Sequence, residues 1–102
     1  MAVPPKAVQD AAQRALDARE RVPPSRKAGT LVGLARANQL ARGENISNNT
    51  LLRMHSYLSR AEEDYKRAKS QGLNLETSKA MQAYYLWGGP AALAWVRREL
   101  NA

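Results

Sequence analysis

Leu51, Met54, Leu58, Ala61, Tyr65 and Ala68 follow one another at intervals of three and four residues. That recurrence is the period of an α-helix, and it draws one unbroken apolar stripe along a single face. A stripe of this length commits the chain to a helix from Ser47, a good N-cap, to about Gln71, with Gly72 breaking it. It also demands cover, because a helix buries its apolar face only against other elements.

The rest of the chain offers helices for that purpose and no convincing strand. A first helix is expected over about residues 4–22, with proline at its start, where a missing N–H costs nothing. Its core stripe is thin: Val8, Ala12, Ala15 and Leu16. Asp10 with Arg14, and Asp17 with Arg21, are spaced as i,i+4 ion pairs on its wet side. Pro23 and Pro24 end it, and residues 23–27 read as a short basic linker. A second helix lies within residues 27–43 and stops at Gly43. A fourth spans about residues 76–87 before Gly88 and Gly89, and Pro90 starts a fifth with Leu93, Val96 and Leu100 on one face. There is no internal repeat and no low-complexity segment. The expected fold is all-α: one domain over residues 1–102, a compact bundle of about five helices.

The core of such a bundle is unusual, because the 102 residues include no Phe. Leu, Met, Tyr and Trp must carry the bulk. Tyr84, Tyr85, Trp87 and Trp95 are therefore assigned to closing the core, with a stacking platform for single-stranded nucleic acid as the alternative. The absence of Cys excludes disulfides, thiolate zinc sites and cysteine nucleophiles. No apolar run approaches the length of a membrane span, and residues 1–22 lack a signal-peptide pattern. The expected location is the cytoplasm, or a particle assembled there, with no membrane partner.

The segment "KAGTLVGLARANQLARG", residues 27–43, sets two glycines in a helical run. A Walker-type loop needs Lys and then Ser or Thr after its second glycine, but Leu34 and Ala35 follow Gly33. A dinucleotide fingerprint needs a preceding strand and a third spaced glycine, and both are missing. Gly33, Ala37, Leu40 and Ala41 instead share one helical face, where small residues let a neighbour come close. That reading makes the stretch a packing surface, with Gly29 freeing the backbone just before the helix.

The chain carries sixteen Lys and Arg against nine Asp and Glu, a net charge of +7. The excess is even: eight basic and four acidic residues over 1–46, eight and five over 47–102. A spread excess of this kind favours a polyanionic partner, nucleic acid being the commonest. Arg53, Arg60 and Arg67 recur every seven residues along the third helix. Beyond Arg60 the charges are spaced to pair locally, Glu62 with Lys66 and Glu63 with Arg67. The N-terminal half, with Asn48, Asn49, Thr50, Arg53, Ser56 and Tyr57, has no acidic residue, and amides with unpaired arginines are the groups that reach base edges and phosphates.

Residues 34–60 are also similar to a helix-turn-helix: Ala37 and Leu40 packing one helix, Ile46 filling the turn, Ser47 to Arg53 leading a recognition helix. The turn is two residues longer than the usual three or four. The same pair reads equally as two antiparallel helices joined by a short loop. No catalytic constellation emerges. His55 is the only histidine, its neighbour Ser56 points elsewhere on a helix, and the acidic residues are scattered.

Three runs carry a family resemblance: Gly-Thr-x-Val-Gly-x-Ala-Arg-Ala at residues 29–37, Thr-x-x-Arg-Met-x-Ser-Tyr at 50–57, and Leu-Trp-Gly-Gly at 86–89. Together they resemble a small helical module of tailed bacteriophages, frequent in cyanophage and marine-phage genomes. The module occurs alone or attached to virion and head-maturation proteins, and the resemblance spans about residues 4–100. A glycine often stands where this chain has Ala28, and a histidine where it has Ala61, so no role of that histidine carries over. The resemblance implies a phage origin more than a mechanism.

The resulting expectation is a non-enzymatic binding protein without cofactor or metal. Its leading partner is nucleic acid, double-stranded DNA first, held by Asn48, Asn49, Arg53, Tyr57 and Arg60 of the third helix. Arg26, Lys27, Arg36 and Arg42 are expected to assist. The alternative is a protein–protein module meeting an acidic partner: a virion component, an assembly factor or a binder of a host protein.

Overall fold

The computed structural model describes residues 2–101. Five α-helices follow in the order α1 (Lys6–Glu20), α2 (Leu31–Ala41), α3 (Asn48–Ser70), α4 (Lys79–Leu86) and α5 (Gly89–Asn101), with a 3-10 turn over Pro24–Arg26. The all-α class is as expected. Thr30, Ser47 and Ser78 cap α2, α3 and α4, each hydroxyl accepting from the backbone N–H three residues on. Helix α4 starts later than its sequence pattern suggests. The Asn74 carboxamide oxygen accepts from the N–H groups of Glu76 (2.8 Å) and Thr77 (3.1 Å), closing a turn that leaves Ser78 as the first capping residue.

Helix α1 is the centre of the packing, in contact with α2, α4 and α5. Its buried face is Val8, Ala11, Ala12, Ala15 and Ala18, and Leu16 lies only half-buried at the edge. Helix α3 covers the other side of the bundle, packing on α4 and α5 through Leu51, Met54, Leu58, Tyr65 and Ala68. Tyr65 stacks on Tyr84 with ring centroids 4.7 Å apart, and burial pushes the Tyr84 phenol up to about 12. Between α4 and α5 the chain reverses at Gly88, whose φ is +100°. A Cβ there would lie 2.4 Å from the Ala92 Cβ and 3.0 Å from Val8, so the turn beneath α1 admits glycine alone.

The ion pairs expected along α1 are replaced by others. Asp10 pairs with Lys6 (3.0 Å), Asp17 accepts from Gln13 (2.9 Å), and Arg21 reaches across to Glu76 (2.7 Å). Arg14 is drawn off because its guanidinium lies 5.5 Å from the Tyr85 ring centroid. The helix-turn-helix expectation also needs correction. Helix α2 packs on α1 and α4 whereas α3 packs on α4 and α5, so the two do not form the close pair that such a motif requires. The cause is the connection. Ile46 is fully buried, but an antiparallel bridge ties it to Ala2, with N–H to carbonyl distances of 3.0 and 2.7 Å.

Gln82 is the one buried polar side chain among the described residues. Its carbonyl oxygen accepts from the Ala28 N–H (2.7 Å) and its amide donates to the Leu75 carbonyl (2.9 Å). One side chain thereby anchors the loop before α2 and the loop before α4. Gln82→Ala would strand both backbone groups and is expected to cost about 2–4 kcal/mol in chemical denaturation.

Gly33 is buried on α2, and what approaches it is the indole of Trp87: an added Cβ would stand 3.4 Å from Nε1. The stretch is a packing surface, as its small residues suggest. Gly33→Ala is expected to fit and to gain up to about 1 kcal/mol from helix propensity. Gly33→Leu has no room beyond Cβ, and melting should report a loss of about 1–3 kcal/mol.

Candidate nucleic-acid interface

Asn49, Arg53, Tyr57 and Arg60 succeed each other on α3 by four, four and three residues, which places them on one face. That face borders the buried stripe on the Tyr57 side. Tyr57 is half-buried and stacks on Trp87, centroids 4.8 Å apart with planes 25° from parallel. Arg36 arrives from α2, its guanidinium 5.6 Å from the Trp87 ring centroid. Two helices and the turn after α4 thus build one cluster: an aromatic pair with Arg36, Arg53 and Arg60 about it.

The electrostatics of the cluster are lopsided. Burial first, and the nearby Arg53 guanidinium second, lower the pKa of Arg36 from its ordinary value. Burial raises that of Tyr57; the Arg60 charge opposes the rise and the Asp64 carboxylate adds to it. Arg36 donates to Gln39, yet its buried Nε finds no partner. Among the described residues none of Arg36, Arg53 or Arg60 joins an ion pair. Arg60 returns one donor to the Ser56 carbonyl of its own helix (3.2 Å). Two guanidinium groups close enough to repel, with no carboxylate between them, form a site that an incoming anion would relax.

The other expected residues are placed less favourably. Arg42 is held by Glu44 at 2.6 Å. Asn48 is exposed at the first position of α3 but a third of a turn from the Asn49 face, on the side of Leu52. Arg26 is exposed on the 3-10 turn. Lys27 is half-buried and its ammonium donates back to the Arg19 carbonyl, closing the end of α1. Lys66 pairs with Glu62 (3.9 Å) as its spacing suggests, but Arg67 pairs with Asp64 (3.2 Å) and not with Glu63. Among the described residues no cluster of His, Cys, Asp and Glu is suited to a metal ion, and no helix is long and apolar enough to cross a membrane.

Trp87 is the residue that sequence reasoning missed, since it groups with Tyr84 and Trp95 as core by composition. Tyr84 and Trp95 are core, at 0% and 4% exposure. Trp87 is only half-buried, and its place in "LWGG" was the available signal: directly after α4 and before two glycines, it cannot be covered by its own helix. Iodide should therefore quench one component of the tryptophan emission and spare the other. Trp87→Phe is expected to remove the quenchable component and leave the blue-shifted Trp95 signal; uniform protection of both would contradict this placement.

No protein-family model, curated protein or solved structure matches the chain. Its function is argued from the arginine and aromatic face itself.

Proposed function

We propose that the chain is a non-enzymatic, phage-encoded DNA-binding protein that meets its ligand with the N-terminal half of α3. The observation that carries this reading is the unpaired arginine set. Arg36, Arg53 and Arg60 stand about Tyr57 and Trp87 without joining an ion pair, the nearby Asp64 being taken by Arg67, while Arg42 is neutralised by Glu44. Leaving positive charge uncompensated beside a like charge costs stability, and a phosphate backbone supplies the missing counter-charge at regular spacing. Asn49 stands one turn before Arg53 on the same face, positioned to meet base edges once the phosphates have set the register. The resemblance of residues 29–37, 50–57 and 86–89 to a tailed-phage module supports the source and a host cytoplasm or virion as the place of action.

Salt dependence tests the reading directly. Affinity for a random duplex should fall linearly with salt on logarithmic axes, by about 0.9 in slope for every phosphate contacted. Arg53→Ala and Arg60→Ala are each expected to lower the slope by about one unit. Arg67→Ala and Arg42→Ala, whose partners already neutralise them, should leave it nearly unchanged. Absence of binding at low salt would overturn the proposal and reassign the basic face to an acidic protein partner.

A further inference from the structure

Beside the arginine face lies an open groove of about 560 Å³ between the start of α2, α3 and α4. Tyr57 and Trp87 form its aromatic side, and Ala28, Ala80 and Ala83 give it a smooth apolar wall. Lys27 and Lys79 stand on its rim, and no carboxylate lines it. The rim backbone is held open at Gly29, whose φ is +99° and where a Cβ would stand 2.7 Å from Leu86. Gln82 fixes the adjoining Ala28 from within. The groove thus brings shape, aromatic surface and positive charge together.

We propose that this groove receives one unstacked base of a single-stranded DNA segment, with the adjoining phosphate on Lys79 and Lys27. The inference rests on the DNA-binding reading and extends it from the arginine face to a base pocket. Three features select this occupant. An aromatic wall suits the flat face of any base. The cationic rim asks for a charge carried next to that flat group, which each nucleotide provides. Tyr57 belongs to both surfaces, so a strand whose phosphates follow Arg53 and Arg60 passes the mouth of the groove. Lys27 spends one donor on the Arg19 carbonyl and keeps two for a phosphate. Lys79 is the first residue of α4, where the positive end of the helix adds to its own charge.

The test compares an oligothymidylate of about ten nucleotides with a random duplex, using the whole chain. Ala80→Leu fills the groove from an exposed position in the first turn of α4, where leucine favours the helix. It should weaken oligothymidylate binding by about five- to a hundred-fold and leave duplex binding unchanged. Lys79→Ala should lower the single-strand salt slope by about 0.7, and it keeps the proposal testable if the filled variant folds poorly. Oligothymidylate should also shift the Trp87 emission, whereas polyglutamate should not. Unaltered strand binding in both variants, with duplex binding intact, overturns the groove and leaves the DNA reading standing. Loss of all DNA binding by the native chain at low salt overturns both. If thymidine monophosphate alone displaces the oligonucleotide at equal concentration, the groove holds a free nucleotide and the strand proposal fails.

Discussion

The bundle is organised around a helix without bulk. Ala11, Ala12, Ala15 and Ala18 give α1 a buried face of methyl groups, each at 6% exposure or less, so α2, α4 and α5 approach it closely. Little apolar area is buried by any one of these alanines, and the gain comes from the dispersion contacts of tightly apposed backbones. The large side chains are consequently displaced to the layer between α3 and the α4–α5 pair, where Leu58, Met54, Tyr65, Tyr84 and Trp95 meet. A smaller cluster, Ala15, Ala37 and Leu86, joins α1, α2 and α4 and borders Trp87. This division leaves Trp87 stranded between the two packing regions, half in and half out. The candidate site begins there.

Much of this fold is legible in the sequence, and the reason differs by element. Helix α3 is legible because its period is local: Leu51 to Ala68 carries the whole signal within one segment. Helix boundaries are legible where a hydroxyl caps the start, at Ser47 above all, and shift where a turn such as that at Asn74 intervenes. Ion pairs are poorly legible. Arg21 prefers Glu76 on a distant loop to Asp17 on its own helix, and Arg14 prefers an aromatic face. The helix-turn-helix pattern fails for a comparable reason, since nothing near Ile46 announces that its backbone will bond to Ala2.

The site was half legible. Asn49, Arg53, Tyr57 and Arg60 share a helical face by spacing alone, and Arg36 stood out as a basic residue on α2. Which arginines remain unpaired turns on a choice among local partners: Glu44 takes Arg42 two residues before it, and Asp64 pairs with Arg67 and not with Arg60. The groove is wholly tertiary. It exists because Gln82 bridges two loops distant in sequence, and because Gly29 turns the chain beside Leu86. Composition and periodicity hold no trace of such a clamp.

The arginine face and the groove meet at Tyr57, and both are built on one pair of rings. Its ring faces Trp87, whose indole is in turn held against Gly33 and beneath Arg36. The Arg36 guanidinium is therefore positioned by the same stack that lines the groove. Beside that stack the Arg36 and Arg53 charges lie close enough to act on each other. Gln82 and the small residues of α2 hold the backbone on which these groups stand. One aromatic pair is thereby the shared wall of two adjacent surfaces, the arginine face and the groove.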